Sequence, residues 1–424
     1  MLIAPCGFGT ETNQAVYARD VEFLLSELPQ HAGHFFPSKG IDWRAVSHQF
    51  RAEVAGVSND VQHVKLCQRL LARLKDGHAR LTDLKVQLPD ESRNRRWAGP
   101  CVHLLVCGER VYVRQAFGPA AERGVKIGQE VARIDGLPAR EWLARCAAEK
   151  SDDTGYSTAH QALYAACHWG LGDWAGTPIT FELLDSGRTN RVTLERSGGA
   201  NFVPVGPIFP PKDPKRLGRQ SYGKTASGYG YIHLRDVPGN LPEQLDTMLE
   251  AIGDAPGLIL DMRANGGGGC DHAAVFGRFV PANTNWARYP SAGKKPFAGP
   301  MVVIVDAGTR SAGETVAGMF KEDGRAYMIG DSPTAGTSSS KITLPVPSGL
   351  FAAYFSVRSN MGRFNSGRGI EGIGVPPNET VAYDPAELAC GVDTQIRRAE
   401  ELLKRGLPRD KVSFETKSSG ETRQ

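Results

Sequence analysis

The stretch Gly308-Thr309-Arg310-Ser311-Ala312-Gly313-Glu314 carries the most information about the fold of this chain. It follows the apolar run Met301–Val305 and precedes a helix-like sequence at 315–320. The apolar run predicts a buried strand, and the residues after Ser311 predict a helix. Ser311 is therefore expected at a strand-to-helix turn, where the first helical N–H groups have no partners within the helix.

A glycine-rich stretch earlier in the chain complements this turn. The apolar run Leu258–Asp261 predicts a buried strand, and it leads through Asn265 into four consecutive glycines at 266–269. Such a run is costly in backbone entropy, so it is most useful where backbone N–H groups must approach a ligand. We expect the N–H of Gly266 or Gly267 to form an oxyanion hole with the N–H of Ala312. The residues alone also allow plainer interpretations, an N-cap serine and a flexible loop.

Length and composition bound the class of protein. A chain of 424 residues predicts two or three domains, and 41% apolar with 23% charged residues is typical of a globular protein. The net charge of +4 and the lack of a basic block argue against a nucleic-acid partner. No apolar run is long enough to span a membrane, so we expect a soluble chain, without an export signal in the sequence as given. Metal-ligand motifs are absent from the sequence, and we expect neither a metal nor a cofactor. Cys101 and Cys107 are close enough in sequence to leave a disulfide open.

The patterning predicts a multi-domain α/β chain. Before the Pro-rich stretch the sequence favours helices and then strands, with Asp42 and Asn59 as helix N-caps and Gly77 as the residue that ends the helix before His78. Beyond that stretch, strands and helices alternate. The predicted divisions are an N-terminal helical region at 1–97, a strand-rich module at 98–202, a Pro-rich linker at 203–220, a catalytic core at 221–408 and a polar tail at 409–424.

Two local patterns in the strand-rich module have a familiar form. Residues 117–129 resemble the signature stretch of PDZ domains, with a short helix after a Gly-Pro-Ala-Ala turn and then a glycine-closed loop. Segments 179–183 and 191–194 predict a closing hairpin. The PDZ resemblance implies that an extended peptide adds as a strand near residues 99–106.

The order and spacing of two core motifs identify a wider resemblance. Asp261–Gly268 matches the pattern D-L-R-x-N-G-G-G, and Ser311–Glu314 matches S-A-x-E. The chain thereby resembles the serine peptidase family of carboxyl-terminal processing (tail-specific) proteases and tricorn-core proteases. This resemblance implies a crotonase-like α/β catalytic core preceded by a helical region and a PDZ-like module. It also implies a serine protease that hydrolyses peptides or proteins, with the oligomeric state left open.

The family has two catalytic branches, and the sequence is closer to one of them. Tail-specific members use a Ser–Lys dyad, but here the lysine position in 334–337 is Gly336, and Lys341 comes five residues too late. Tricorn-like members use Ser–His–Glu. Asp76-Gly77-His78 and Glu371 before Gly-Ile-Gly-Val-Pro match that branch, although Gly77 stands where the tricorn branch has a serine.

The resemblance implies a role for each residue of this triad. Ser311 is the nucleophile, His78 is general base and then general acid, and Glu371 orients His78, with Asp76 as the competitor for that task. Glu314 is expected to stabilise the helix end. Two rival functions remain open at this stage: a non-catalytic relative that binds apolar ligands, and acyl-CoA chemistry on a crotonase-like fold.

Overall fold

The computed structural model describes residues 13–89, 95–185, 187–199, 206–408 and 410–412. Parts of the predicted linker (203–205) and of the predicted tail (409 and 413–424) lie outside these residues. The chain divides into two compact units. The first contains the described residues up to 89 together with 149–156 and 339–358, and the second contains the rest. The five-part division made from the sequence stays a prediction.

Four helices come first among the described residues, and strands and helices are interspersed after them. Helices α1 to α12 are Asn13–Ala32, Phe36–Lys39, Trp43–Val54, Asp60–Ala72, Pro119–Glu122, Ala139–Lys150, Ala159–Trp169, Leu241–Ile252, His272–Gly277, Ala312–Glu322, Pro385–Ala389 and Thr394–Arg405. Strands β1 to β21 are Arg80–Thr82, Trp97–Gly99, Val102–Cys107, Arg110–Ala116, Glu130–Ile134, Leu137–Pro138, Asp173–Trp174, Pro178–Asp185, Arg188–Glu195, Gly198–Gly199, Lys215–Leu217, Gln220–Lys224, Gly230–His233, Leu258–Asp261, Asn285–Trp286, Tyr289–Pro290, Met301–Val305, Tyr327–Gly330, Ser339–Pro345, Ala352–Ser359 and Glu379–Thr380. A mixed α/β, multi-domain fold is thus confirmed.

The first unit packs N-terminal helices against a small sheet. Its three strands lie in the order β1-β20-β19, with Arg80 opposite Tyr354 in the antiparallel pair. The predicted N-caps are confirmed, because Asp42 accepts from the N–H of Ala45 and Asn59 accepts from the N–H of Gln62. Apolar side chains of α1, α3 and α4 form one core with those of β19 and β20. Segments far apart in sequence therefore share one core.

One helix end differs from the prediction. Helix α4 stops at Ala72, and the left-handed residue that follows is Lys75, with φ of +46°. Gly77 is therefore not the residue that ends this helix, and the prediction was wrong. Asp76 and His78 lie in a turn further on, just before the short strand β1.

The second unit contains a seven-stranded sheet that carries the serine turn. Its order is β11-β12-β13-β14-β17-β18-β21, and the strands from β13 to β21 run parallel. Strands β14 and β17 are buried along their whole length, as parallel strands covered on both faces usually are. Helices α8, α9 and α10 cover one face and α12 covers the other. The carboxyl ends of parallel strands are where ligand sites of open α/β sheets usually form.

The second unit also holds the strand-rich segment. Strands β3-β4-β5-β8-β9 form an antiparallel sheet, with the predicted hairpin as β8 and β9. Helices α6 and α7, which the sequence analysis did not predict, are inserted between β6 and β8. Cys101 and Cys107 both carry free thiols. Among the described residues, no helix is both long and apolar enough to cross a membrane.

Candidate active site

The glycine nest begins where β14 ends and is fixed by Asn265. The side chain of Asn265 is fully buried; its Nδ2 donates to the carbonyl of Leu234 (2.7 Å), and its Oδ1 accepts from the N–H of Gly267 (2.9 Å). A Cβ atom on Gly313 would lie 2.4 Å from the same Oδ1. Asn265 therefore joins the nest to the first turn of α10, the helix that follows Ser311.

Two glycines of the nest could not be replaced without moving the backbone. Gly267 has φ of +79°, and a Cβ there would lie 2.6 Å from the Cβ of Ser311. Gly268 has φ of +144°, and a Cβ there would lie 2.2 Å from the carbonyl oxygen of Val237. The nest is thus pressed against the serine turn and is not a loose loop. Only a residue without a side chain permits this approach.

The strand before the nest is held by a buried ion pair. Arg263 is fully buried and donates to Asp261 and Asp393. The neighbouring carboxylates hold the pKa of Arg263 well above its usual value, although burial opposes this. Because Asp393 is the N-cap of α12, this pair ties the end of β14 to the opposite face of the sheet. The first half of the D-L-R-x-N-G-G-G pattern is therefore structural in this chain.

Ser311 occupies a strained turn between β17 and α10. Its φ of +56° and ψ of −129° lie outside the regions that residues with a side chain usually adopt. Its N–H donates to the carbonyl of Thr337 (2.9 Å) and to Oε2 of Glu314 (3.1 Å). A strained serine at a strand-to-helix turn is also the geometry of the nucleophile elbow in α/β-hydrolases, although the surrounding sequence differs.

Glu314 does more than stabilise the helix end. Its Oε1 accepts from the hydroxyl of Thr334 (2.6 Å) and the N–H of Gly336 (2.7 Å), and its Oε2 accepts from the N–H of Thr337 (2.8 Å). Burial raises the pKa of Glu314 to about 8, against the lowering effect of these donors. The carboxyl group thus fixes the loop 334–337 against the serine turn.

The same loop leaves no space for a lysine at the dyad position. Gly336 has φ of +79°, and a Cβ there would lie 2.6 Å from Cγ2 of Thr158 and 3.0 Å from the N–H nitrogen of Gly374. Any side chain at 336 would therefore require the backbone to shift. Lys341 belongs to the first unit, in β19.

Glu371 is buried, and its carboxylate accepts a hydrogen bond from a serine hydroxyl. The Oγ of Ser157 donates to Oε1 of Glu371 (2.9 Å), and the hydroxyl of Thr337 donates to Ser157 in turn (3.1 Å). The carbonyl of Thr337 accepts from the N–H of Ser311, so Thr337 contacts Ser311 through its backbone and Ser157 through its side chain. Glu371 is 3% exposed, so these contacts are shielded from water.

His78 and Asp76 lie in the first unit, where Asp76 is occupied with structural bonds. Its carboxylate accepts from the N–H of Ser356 (2.7 Å), the hydroxyl of Ser356 (3.0 Å) and the N–H of His78 (2.9 Å). The Nδ1 of His78 is 3.9 Å from Oδ1 of Asp76, beyond hydrogen-bond distance. Asp76 therefore anchors its turn to β20. The pairing of His78 with Ser311 and Glu371 stays a prediction.

The expected oxyanion donors differ in availability. The N–H of Gly266 donates to the carbonyl of Arg235 (2.9 Å), and that of Gly267 donates to Asn265. The N–H of Ala312, the first residue of α10, has no acceptor among the described residues. Of the three, Ala312 is therefore the donor that is ready to bind a ligand oxygen.

Part of the chain matches a known protein family. Residues 228–381, which include the parallel strands of the sheet, the nest and the serine turn, match Peptidase family S41. This stretch of the chain is therefore similar to a family of serine peptidases.

Two relatives agree with this assignment. The tricorn protease homolog 2 of Streptomyces coelicolor is 24% identical over 413 residues, which are 89% of this chain and 32% of that protein. The carboxyl-terminal-processing protease of Synechocystis sp. is 25% identical over 249 residues, 54% of each chain. This chain thus spans well under two thirds of either relative.

Among solved structures, that of mature CPAF has a similar fold. The TM-score is 0.66 at 13% sequence identity, and the alignment covers 95% of this chain and 99% of that one. At this identity the likeness concerns the fold.

Sequence reasoning missed two of the polar residues around the candidate site. Ser157 precedes α7, far from every motif in sequence, and no spacing rule points to it. The loop-fixing role of Glu314 was also missed, because a first-turn glutamate usually serves only its own helix. The burial that makes Glu314 unusual for an acid is seen only in the structure.

Proposed function

We propose that the chain is a serine protease that hydrolyses peptide bonds through Ser311, His78 and Glu371. Ser311 attacks the scissile carbonyl. His78 takes the serine proton and returns it to the leaving amine, and Glu371 keeps the imidazole oriented and stabilises its cation. Carboxyl-terminal processing or degradation of peptides and proteins is the activity that the relatives' names favour.

The strained serine turn beside the nest is the observation that carries this proposal. A nucleophile needs backbone donors at the place where negative charge develops. Ala312 offers one such donor next to Ser311. Gly267 offers a second when the oxyanion replaces Oδ1 of Asn265 as its acceptor, and Gly266 is the further candidate.

The loop 334–337 supports the His–Glu branch over the Lys branch. A lysine base would have to extend from position 336, where a side chain has no space. Ser157 donates to Glu371 and so fixes the carboxylate that we assign to the support of the histidine. Both features are consistent with a triad in which Glu371 supports the histidine.

The finer fold assignment belongs to the same proposal. We assign the seven-stranded core a crotonase-like fold and the segment 98–202 a PDZ-like module. Strand β3 lies at the end of its sheet order, and we assign its outer edge as the place where a peptide strand adds. The partners we propose are accordingly peptides or proteins in extended conformation.

Fluorophosphonate labelling tests the function directly, since this probe reacts with activated serines. We expect the wild-type chain to be labelled at Ser311 and to cleave unfolded protein substrates, and Ser311→Ala to lose both properties. A chain that is neither labelled nor proteolytic would favour the rival role of a non-catalytic binder. Turnover of an acyl-CoA thioester without peptide hydrolysis would favour the other rival.

A further inference from the structure

A cavity of about 290 Å³ lies in the second unit, and neither the nest nor Ser311 is among the residues that line it. One wall is strand β3 with helix α7, and the other is formed by residues that follow β17, β18 and β21. The lining includes Arg114, Tyr164, His168, Asp306 and Asp331. Its volume is at the low end of the range for drug-sized ligands, about 300–1,000 Å³, so it suits a single side chain.

Two polar atoms of this lining are buried without a partner among the described residues. They are the hydroxyl of Tyr164 and Nε2 of His168. The Nδ1 of His168 is 2.8 Å from the carbonyl of Tyr164, and a carbonyl only accepts, so Nδ1 carries the proton. Burial lowers the pKa of His168 well below its usual value, so the ring is neutral. Nε2 is then an acceptor that awaits a donor.

The charges of the lining favour a positive ligand. Two acids, Asp306 and Asp331, line the cavity, whereas Arg114 supplies one guanidinium group. That guanidinium group donates to the carbonyl of Gly206. Burial raises the pKa of both acids, that of Asp331 to about 6. Histidines 160 and 168 have lowered pKa values, so neither adds positive charge at neutral pH. A buried carboxyl group with a raised pKa gains stability as an anion when a cation comes close.

We propose that this cavity binds a lysine or arginine side chain of the peptide that pairs with β3. An ammonium or guanidinium group only donates, which matches the acceptors offered by His168, Asp306 and Asp331. A peptide carboxylate would have to lie beside two acids of like charge. The inference that the occupant is a peptide side chain rests on the proposed function, whereas the preference for a cation rests on the lining alone.

Binding to the full-length Ser311→Ala protein tests the preference without any need for turnover. The probes are fluorescent peptides with blocked ends, identical except at one position that carries lysine, arginine, citrulline, norleucine or glutamate, and that position is moved along the series. Fluorescence anisotropy gives the dissociation constants. We expect one register in which lysine and arginine bind about tenfold more tightly than norleucine and citrulline, with glutamate weakest.

Two variants connect the preference to the cavity. Asp331→Asn should remove most of the preference for a cation. Tyr164→Phe should weaken the binding of the lysine peptide and leave the affinity for the norleucine peptide unchanged. Asp254→Asn is the matched control, since Asp254 is an exposed acid outside the lining. Thermal unfolding checks that each variant is folded.

The outcomes separate this inference from the proposed function. Equal affinities across the series, tighter binding of the glutamate peptide, or a preference that persists in Asp331→Asn would overturn the inference. Hydrolysis by the wild-type chain without a cation preference would reject the inference alone. A cation preference in a chain that no serine probe labels would reject the proposed chemistry and leave the binding site in place.

Discussion

The serine turn and the histidine turn are both short, polar and placed just outside a regular element, yet they are held in different ways. The serine turn is fixed mainly by nearby backbone: Gly267 and Gly313 admit close neighbours, and Glu314 ties Ser311 to the next loop. The histidine turn is held by Asp76 through Ser356, which is 280 residues further along the chain. A constraint that acts within a short stretch of backbone can be recognised in the sequence as a motif. An anchor between distant residues appears there only as isolated residues.

The largest expected effect is at the serine turn itself. Ser311→Ala should lower kcat by on the order of 10⁴-fold or more, because the members of a triad act as a unit. The unfolding temperature should stay close to that of wild type. A purified variant with activity near wild type would remove Ser311 as the nucleophile.

His78→Ala should lower kcat nearly as much as Ser311→Ala does, although His78 lies in the other unit. A histidine base accepts the serine proton only when it is neutral, so kcat/KM of the wild type should rise with pH through about 6–7.5 and fall below that range. The His78→Ala variant should lose this rise of kcat/KM with pH together with most of its activity. A wild-type pH profile that is flat from 5 to 8, about the span in which histidines titrate, would contradict a histidine base.

Glu371→Gln compared with Asp76→Asn decides which acid orients the histidine. We expect Glu371→Gln to lower kcat by about 10⁴-fold, as the same change in the third triad member does elsewhere. Asp76→Asn should mainly lower the unfolding temperature, because Asp76 accepts the N–H and hydroxyl of Ser356. If Asp76→Asn lowers kcat more than Glu371→Gln does, the orienting role belongs to Asp76.

A smaller loss is expected when the nest is pushed away from the serine. The added Cβ in Gly267→Ala meets the Cβ of Ser311, and a displacement of this size costs about 10²-fold in rate. Gly269→Ala is the matched control, since no neighbouring atom lies within 4 Å of a Cβ there. Similar kcat values for the two variants would show that the approach of the nest is unimportant for the reaction.

The smallest effect is expected at the lysine. Lys341→Ala should leave kcat/KM unchanged, because Lys341 does not occupy the dyad position. The assay is the same peptide hydrolysis, with Ser311→Ala as the inactive reference. A Lys341→Ala protein as inactive as Ser311→Ala would replace the triad hypothesis with a Ser–Lys dyad.

Prediction from sequence succeeded where the pattern is local. The strands Leu258–Asp261 and Met301–Val305 have the bounds expected, since unbroken apolar runs between polar turns are typical of buried parallel strands. It failed at Gly77, because the end of a helix depends on which residue adopts the left-handed conformation, and here that residue is Lys75. It also missed α6 and α7, whose sequences lie between strand-like segments.

The sequence by itself determined the resemblance to a family of serine peptidases, the serine turn and the glycine nest, because each depends on the backbone freedom of glycine and on apolar runs that neighbouring residues encode. The tertiary structure alone decided that Ser157 donates to Glu371, that position 336 has no space for a side chain, and that Asp306 and Asp331 face one cavity with His168. These contacts join residues far apart in sequence, Ser157 and Glu371 being 214 positions apart. No periodicity or spacing in a single sequence records such a contact, since it exists only after the sheet, its loops and α7 have packed together.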